Sequence, residues 1–298
     1  MKFKSILNAS LCMITAIIWG SAFVAQSVAM DKIEPFTFTA ARSYLGALVL
    51  IPVILILRGR RPAEEKAKED KKTLFLGGAC CGVALAVASM LQQYGITMST
   101  VGKAGFITAM YIVIVPVISV LFLKKKYSFG LWISVGAALL GLYLLTMTGE
   151  SSLGAGDLLL LLCAVVFSGH ILIIDHFSPK VDCVAMACIQ FSVCAVLCTV
   201  GALIFETPSF SDIFEARVPI LYAGVLSSGV AYTLQIVGQK HTPPVIASMI
   251  FSLESVFAAL AGWIILKEKL APVEMIGCVL MFGAIILAQL SQNKDEVR

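Results

Sequence analysis

Charge is scarce in this chain of 298 residues: only 13% of the side chains are charged, against 59% hydrophobic. A water-soluble domain carries about 25% charged residues, because charge covers its surface. The deficit, with apolar stretches running from end to end, excludes an enzyme-sized soluble domain and implies a surface that meets lipid. An excess of one sign is also missing. The formal net charge is +4, so no nucleic acid partner is expected. None of the nine cysteines forms a CxxC pair, and no Cys/His cluster has zinc-ligand spacing. No metal or cofactor is therefore expected, and the cysteines read as free thiols filling core space. A Gly-x-x-x-x-Gly-Lys-Ser/Thr phosphate loop is absent, which argues against an ATP-driven pump. So are HExxH and Asp-rich clusters: Asp157, Asp175, Asp182 and Glu206 are scattered. A polytopic membrane enzyme acting on a lipid-linked substrate, the alternative to a transporter, would need such dense polar chemistry. A receptor would need a large binding domain, and none is present.

What is abundant is apolar sequence in lengths suited to a bilayer, whose core needs about 20 helical residues. Ten segments qualify: 7–30, 36–57, 74–96, 104–123, 131–148, 158–174, 183–205, 219–237, 245–266 and 273–290. The runs are too long, and too little alternating, for a membrane barrel. Lys2 and Lys4 before an apolar run imitate a signal peptide, but the run continues past Trp19 to Met30 and reads as a retained first span. Loop charges give the orientation. One side, holding both termini and the loops 58–72, 124–128, 178–182 and 240–244, carries sixteen Lys and Arg; the other carries five. Both termini are therefore expected in the cytoplasm of a multi-pass protein of the cell membrane. The loop 58–72 carries both signs and reads as a solvated connector.

The chain also repeats itself. At an offset of 143, Gln92 falls on Gln235, Gly95 on Gly238, Ala104 on Ala247, Leu123 on Leu266, Lys124 on Lys267 and Lys126 on Lys269. Earlier, at an offset of 148, Trp19 falls on Phe167, Phe23 on Ile171 and Arg42 on Gln190. This divides the chain into 1–148 and 149–298, five spans each. Five is odd, so the second half enters the membrane inverted. The expected fold is an all-α membrane protein of ten transmembrane helices in two inverted five-helix repeats. By analogy, two such halves can open a central site to one side and then the other.

Particular stretches carry a family resemblance. The second half contains SSGVAYTL, SLESVFAALAGWIILKEKL and a closing span with Gly277 and Gly283; the first contains WGSAFVA at 19–25, Pro35 followed by Arg42, and QYGITMSTVGKAGFITAMYIVIVPVISVLFLKKK. Over nearly its whole length the chain resembles the EamA group of the drug/metabolite transporter superfamily. The resemblance implies a ten-helix secondary transporter of two EamA repeats. Members are commonly exporters of amino acids, metabolites or drugs, driven by protons or by exchange. The chain departs from the group at Glu254-Ser255, where Glu-Pro is frequent, at Tyr111-Ile112, which lacks an acid, and at Lys124-Lys125-Lys126, which lacks the usual one. Coupling through a symmetric pair of carboxylates is therefore not expected.

Ionisable groups inside a span are costly and need a reason. Glu254 lies about 14 Å into the ninth span, near the midplane. It could hold a proton or a cationic substrate, accept a hydrogen bond from a polar one, or make a structural hydrogen bond to a backbone kink at Ser252 or Ser255. Arg42 could snorkel outward or pair with an anionic substrate group. Together they would suit a zwitterion such as an amino acid. His170 could titrate or serve as a neutral hydrogen-bonding group. Tyr111, Tyr232 and Trp19 could line a cavity or only pack. Gln92, Gln93, Gln190 and Gln235 read as bridges between helices, and Gly78-x-x-x-Gly82 as a close contact serving either the fold or a homodimer. The expectation is a central cavity with Glu254, Tyr232, Tyr111, Trp19, His170 and Arg42, a small-molecule substrate, the lipid bilayer as surroundings, and protons as the candidate coupling ion. Monomer and homodimer stay open.

Overall fold

The computed structural model describes residues 2–60, 70–99, 101–146, 154–261, 263–264 and 271–295, and the described residues are helical with no strand. Nine helices among them are long and apolar enough to cross a membrane, from Leu7–Met30 to Pro272–Ser291; the tenth apolar helix, Phe129–Leu145, is shorter. The expected ten-helix architecture is therefore present. Most of the connector 58–72, most of the break 149–156 with the boundary at 148, and Leu266, Lys267 and Lys269 lie outside the described residues.

Polarity is arranged inside out relative to a soluble protein. Leu55, Leu121, Phe122, Leu203, Phe205 and Val279 are strongly exposed, Phe122 by 76%. Meanwhile Gln92, Gln235, His170, Arg42 and Glu254 are buried. An apolar exterior on this scale is stable only against hydrocarbon.

The two halves interlock. Among the described residues every major helix contact crosses from one half to the other. The second span packs on the seventh and eighth, the third on the sixth and seventh, the first on the eighth and ninth, and the fifth on the tenth. Gly78 and Gly82 serve this interlock and not a dimer. A Cβ on Gly78 would lie 2.6 Å from the Cβ of Ile189, and one on Gly82 would lie 2.7 Å from the Gln190 carbonyl, both on the seventh span.

One end of the pair formed by the second and seventh spans is tied by reciprocal carboxylate caps. Glu206, just past the seventh span, accepts from the Phe36 and Thr37 backbone N–H groups at 2.7 and 2.8 Å and from the Thr37 hydroxyl at 2.7 Å. Glu34 accepts from the Thr207 N–H at 3.2 Å. Glu206 thus satisfies donors that a helix start leaves open and favours the positive end of that helix. Replacing Glu206 by Ala is expected to cost about 1–2 kcal/mol, read as a lowered melting temperature in detergent. An unchanged melting temperature would show that the tie contributes nothing.

Two spans are broken, the fourth against the expectation of a continuous helix and the ninth where a kink near Ser252 is one reading of the sequence. The fourth consists of half-helices Val101–Thr108 and Tyr111–Leu121, and the ninth of Pro244–Phe251 and Glu254–Ala261. The central bonds of the two breaks match. Met110 N–H donates to Ile107 O and Ile112 N–H to Ala109 O; 143 residues on, Leu253 N–H donates to Ile250 O and Ser255 N–H to Ser252 O. These three-residue spacings tighten the helix locally. In the ninth span Ser248 and Ser252 also turn their hydroxyls back to the carbonyls of Val245 and Met249, at 2.8 and 2.7 Å, which bends a helix. The eighth span departs differently, winding as a π-helix over Tyr222–Ala231 before Tyr232–Gln239 resumes as α-helix. Its counterpart in the third span lies within the unbroken helix Lys71–Thr97.

Candidate functional site

Each broken span restarts at the centre of the protein, and the two restarts face one another. Tyr111 opens one half-helix and Glu254 the other, and the Tyr111 hydroxyl donates to Glu254 Oε1 at 2.8 Å. These residues are repeat equivalents, 143 positions apart. Glu254 is 5% exposed. Burial opposes its charge, while the helix start and the phenol favour it. The structural hydrogen bonds considered for Glu254 at Ser252 and Ser255 are not made: Ser252 bonds Met249 O and Ser255 bonds Gly105 O.

Trp19, Arg42, Tyr111, His170, Tyr232 and Glu254 all border one narrow cavity of about 40 Å³. That is room for a few waters, not for a metabolite. Ten of the fifteen lining residues follow the repeat. Trp19 and Phe167, Phe23 and Ile171, Gln92 and Gln235, Thr108 and Phe251, and Tyr111 and Glu254 are all on the wall as equivalent pairs. The cavity therefore lies where the two halves meet on their pseudo-two-fold relation.

The aromatic wall is continuous. Trp19 lies 4.7 Å from Tyr232 and 5.5 Å from Phe251, centroid to centroid. Tyr232 lies 6.1 Å from His170 and 5.4 Å from Phe191. His170 Nε2 meets Gln190 Oε1 at 2.9 Å. The other ring nitrogen, Nδ1, is buried and has no partner among the described residues. Arg42 does not snorkel. It is 6% exposed, donates from Nη1 to Gln26 Oε1 at 3.2 Å and lies 5.4 Å from the Phe38 ring centroid.

Gln92 and Gln235, read from sequence as helix bridges, are on the cavity wall. Their pairing at the repeat offset was the available signal. Gln93 does bridge, reaching Met30 Sδ at 3.8 Å. Gln26 and Ser227 also line the cavity, and no sequence signal separated them from other polar residues in the spans.

Comparison with known proteins gives a consistent result. The sequence model of the EamA-like transporter family matches residues 7–147 and again residues 154–290. A protein named "Uncharacterized transporter" from Archaeoglobus fulgidus is 31% identical over 277 residues, covering 93% of this chain and 84% of its own length. "Uncharacterized transporter YoaV" from Bacillus subtilis is 25% identical, covering 94% of this chain and 96% of its own. A solved crystal structure superposes with a TM-score of 0.76 at 18% identity, covering 96% of this chain and 98% of that one. That likeness concerns the fold.

Proposed function

The chain belongs to the EamA-like transporter family, and from that premise we propose that it is a secondary active exporter of a small metabolite, amino acid or drug, driven by protons through Glu254. The halves are 1–148 and 149–298, and both termini lie on the cytoplasmic side of the cell membrane. The loop charges support this orientation, with sixteen basic residues against five.

The observation that carries the reading is the Tyr111–Glu254 hydrogen bond between two helix breaks of matching geometry. Broken spans at a repeat interface supply half-helix ends and free backbone groups at the midplane, where secondary transporters bind substrates and coupling ions. The cavity is too narrow for a metabolite, so loading requires the half-helices to part, and parting breaks this bond. A carboxyl group that exchanges a phenol for a proton or a substrate then ties occupancy to conformation.

The test begins with a thermal-shift screen of the purified protein, since a ligand of the folded state raises the melting temperature. Ligands found this way are then followed into proteoliposomes. An imposed pH gradient is expected to accelerate their movement. A rate indifferent to the gradient, yet raised by substrate on the opposite side, would replace proton coupling by exchange. No movement of any stabilising ligand would overturn transport through this site.

A further inference from the structure

Arg42 is a cation in the membrane interior with no acid beside it. No Asp or Glu lies within ion-pair distance of it among the described residues; its recorded partners are the Gln26 amide and the Phe38 ring. A buried cation without a counter-charge is costly, and snorkelling does not relieve this one. The same cavity holds other polar atoms left without partners. The indole Nε1 of Trp19 has none, nor does Oε1 of Gln235, itself 1% exposed. Buried polar groups are almost always hydrogen-bonded, so a cluster of unpartnered ones on a single cavity wall calls for a ligand.

We infer that Arg42, oriented by Gln26, is the docking point for the carboxylate of the transported molecule, so that the substrate class is a small organic carboxylate. This rests on the transporter reading above and names what that site takes. The guanidinium fork matches the two coplanar oxygens of a carboxylate. Nη1 is held by Gln26, which leaves the other guanidinium N–H groups for the ligand. Trp19 Nε1 supplies a further donor on the same wall. A phosphate would bring two charges to one arginine in a cavity that the Glu254 carboxyl also borders, whereas a carboxylate brings one. The wall of Trp19, Tyr232, Phe167 and Phe251 suits an apolar remainder.

The test uses purified full-length protein and a panel of monocarboxylic acids of graded size, acetate to 3-phenylpropionate, each beside its isosteric amide. Calorimetric titration is expected to show acids binding more tightly than their amides in the wild type. Arg42→Gln should weaken the acids by about 30-fold or more, the scale of removing one partner of a buried charge pair, and leave the amides unchanged. Arg42→Gln should not lower the melting temperature of the ligand-free protein, because it removes an uncompensated charge. A structural arginine would give a marked drop. The inference is overturned if no acid outbinds its amide in the wild type, or if Arg42→Gln binds acids as the wild type does. Vesicle assays separate this from the transport reading. Undiminished acid movement by Arg42→Gln removes the subsite and leaves the transporter. Undiminished movement by Glu254→Gln, with acid binding still dependent on Arg42, removes the coupling role of Glu254 and leaves the subsite.

Discussion

Replacing Glu254 by Gln is expected to reduce transport in proteoliposomes by about a hundredfold, the scale of losing a buried charged partner from a binding step. The protein should still fold. Gln has the shape of Glu and keeps a carbonyl oxygen for the Tyr111 hydroxyl, which now reaches Oε1 at 2.8 Å. What it lacks is the ability to take up a proton or balance a cation. Size exclusion and melting temperature should therefore match the wild type while transport fails. Tyr111→Phe should have a smaller effect, since it removes one hydrogen bond and leaves the carboxyl group in place. Full transport by Glu254→Gln would mean that the contact between the two breaks only holds the helices together.

The second large effect is expected at Gly20, next in the chain to Trp19 on the cavity wall. A Cβ there would lie 2.6 Å from the Glu254 carbonyl oxygen, 2.6 Å from the Cβ of Phe257 and 2.8 Å from the Ala258 backbone nitrogen. Backbone atoms cannot yield as a flexible side chain can. Gly20→Ala must therefore push the first span away from the second half of the ninth, at the residue that carries the carboxyl group. Overpacking of this kind costs about 1–3 kcal/mol, and a displacement near 1 Å at a site can cost about a hundredfold in rate. The expected result is a lowered melting temperature together with at least a tenfold loss of transport, roughly the lower part of that range. Gly136 is the control, because a Cβ there meets nothing within 4 Å. Gly136→Ala should be neutral or stabilising by about 0.5–1 kcal/mol, since alanine restricts the unfolded chain more than glycine. Equal behaviour of the two variants would contradict the packing argument.

Much of this architecture is legible in the sequence, because the membrane writes a coarse physical rule. Segments such as 7–30 and 183–205 must be apolar for a bilayer's thickness, so hydropathy finds them. The repeat is legible through Gln92 and Gln235, since a polar residue inside a span is rare enough for a match to carry weight. The same rarity singled out Arg42, His170 and Glu254, and all three border the cavity. The helix break at Ala109-Met110 is not legible, and the one at Ser252-Leu253 is legible only as a kink considered beside Glu254. Neither holds the Pro or Gly that usually announces a break, and the serine back-bonds that bend the ninth span look in sequence like ordinary small residues. The π-helical stretch Tyr222–Ala231 is hidden for a related reason: it is a register change within a helix and leaves composition untouched. Trp19, Tyr111 and Tyr232 fall between the two cases. An aromatic residue in a span serves packing and cavity equally well, and only the interlocking of the halves decides which.

The central claim is that substrate passes through the cavity between the two breaks, and Trp19 can report on it directly. The chain has three tryptophans, and the other two, Trp132 and Trp263, are exposed at the protein surface. With both replaced by Phe, Trp19 is the sole indole emitter, packed against Tyr232 and Phe251 on the cavity wall. Titrating a ligand that the reconstituted protein transports should change Trp19 emission saturably, at the concentrations that saturate transport, and the change should weaken in Glu254→Gln. Emission that stays constant while the same protein transports that ligand would place the route elsewhere and contradict the account.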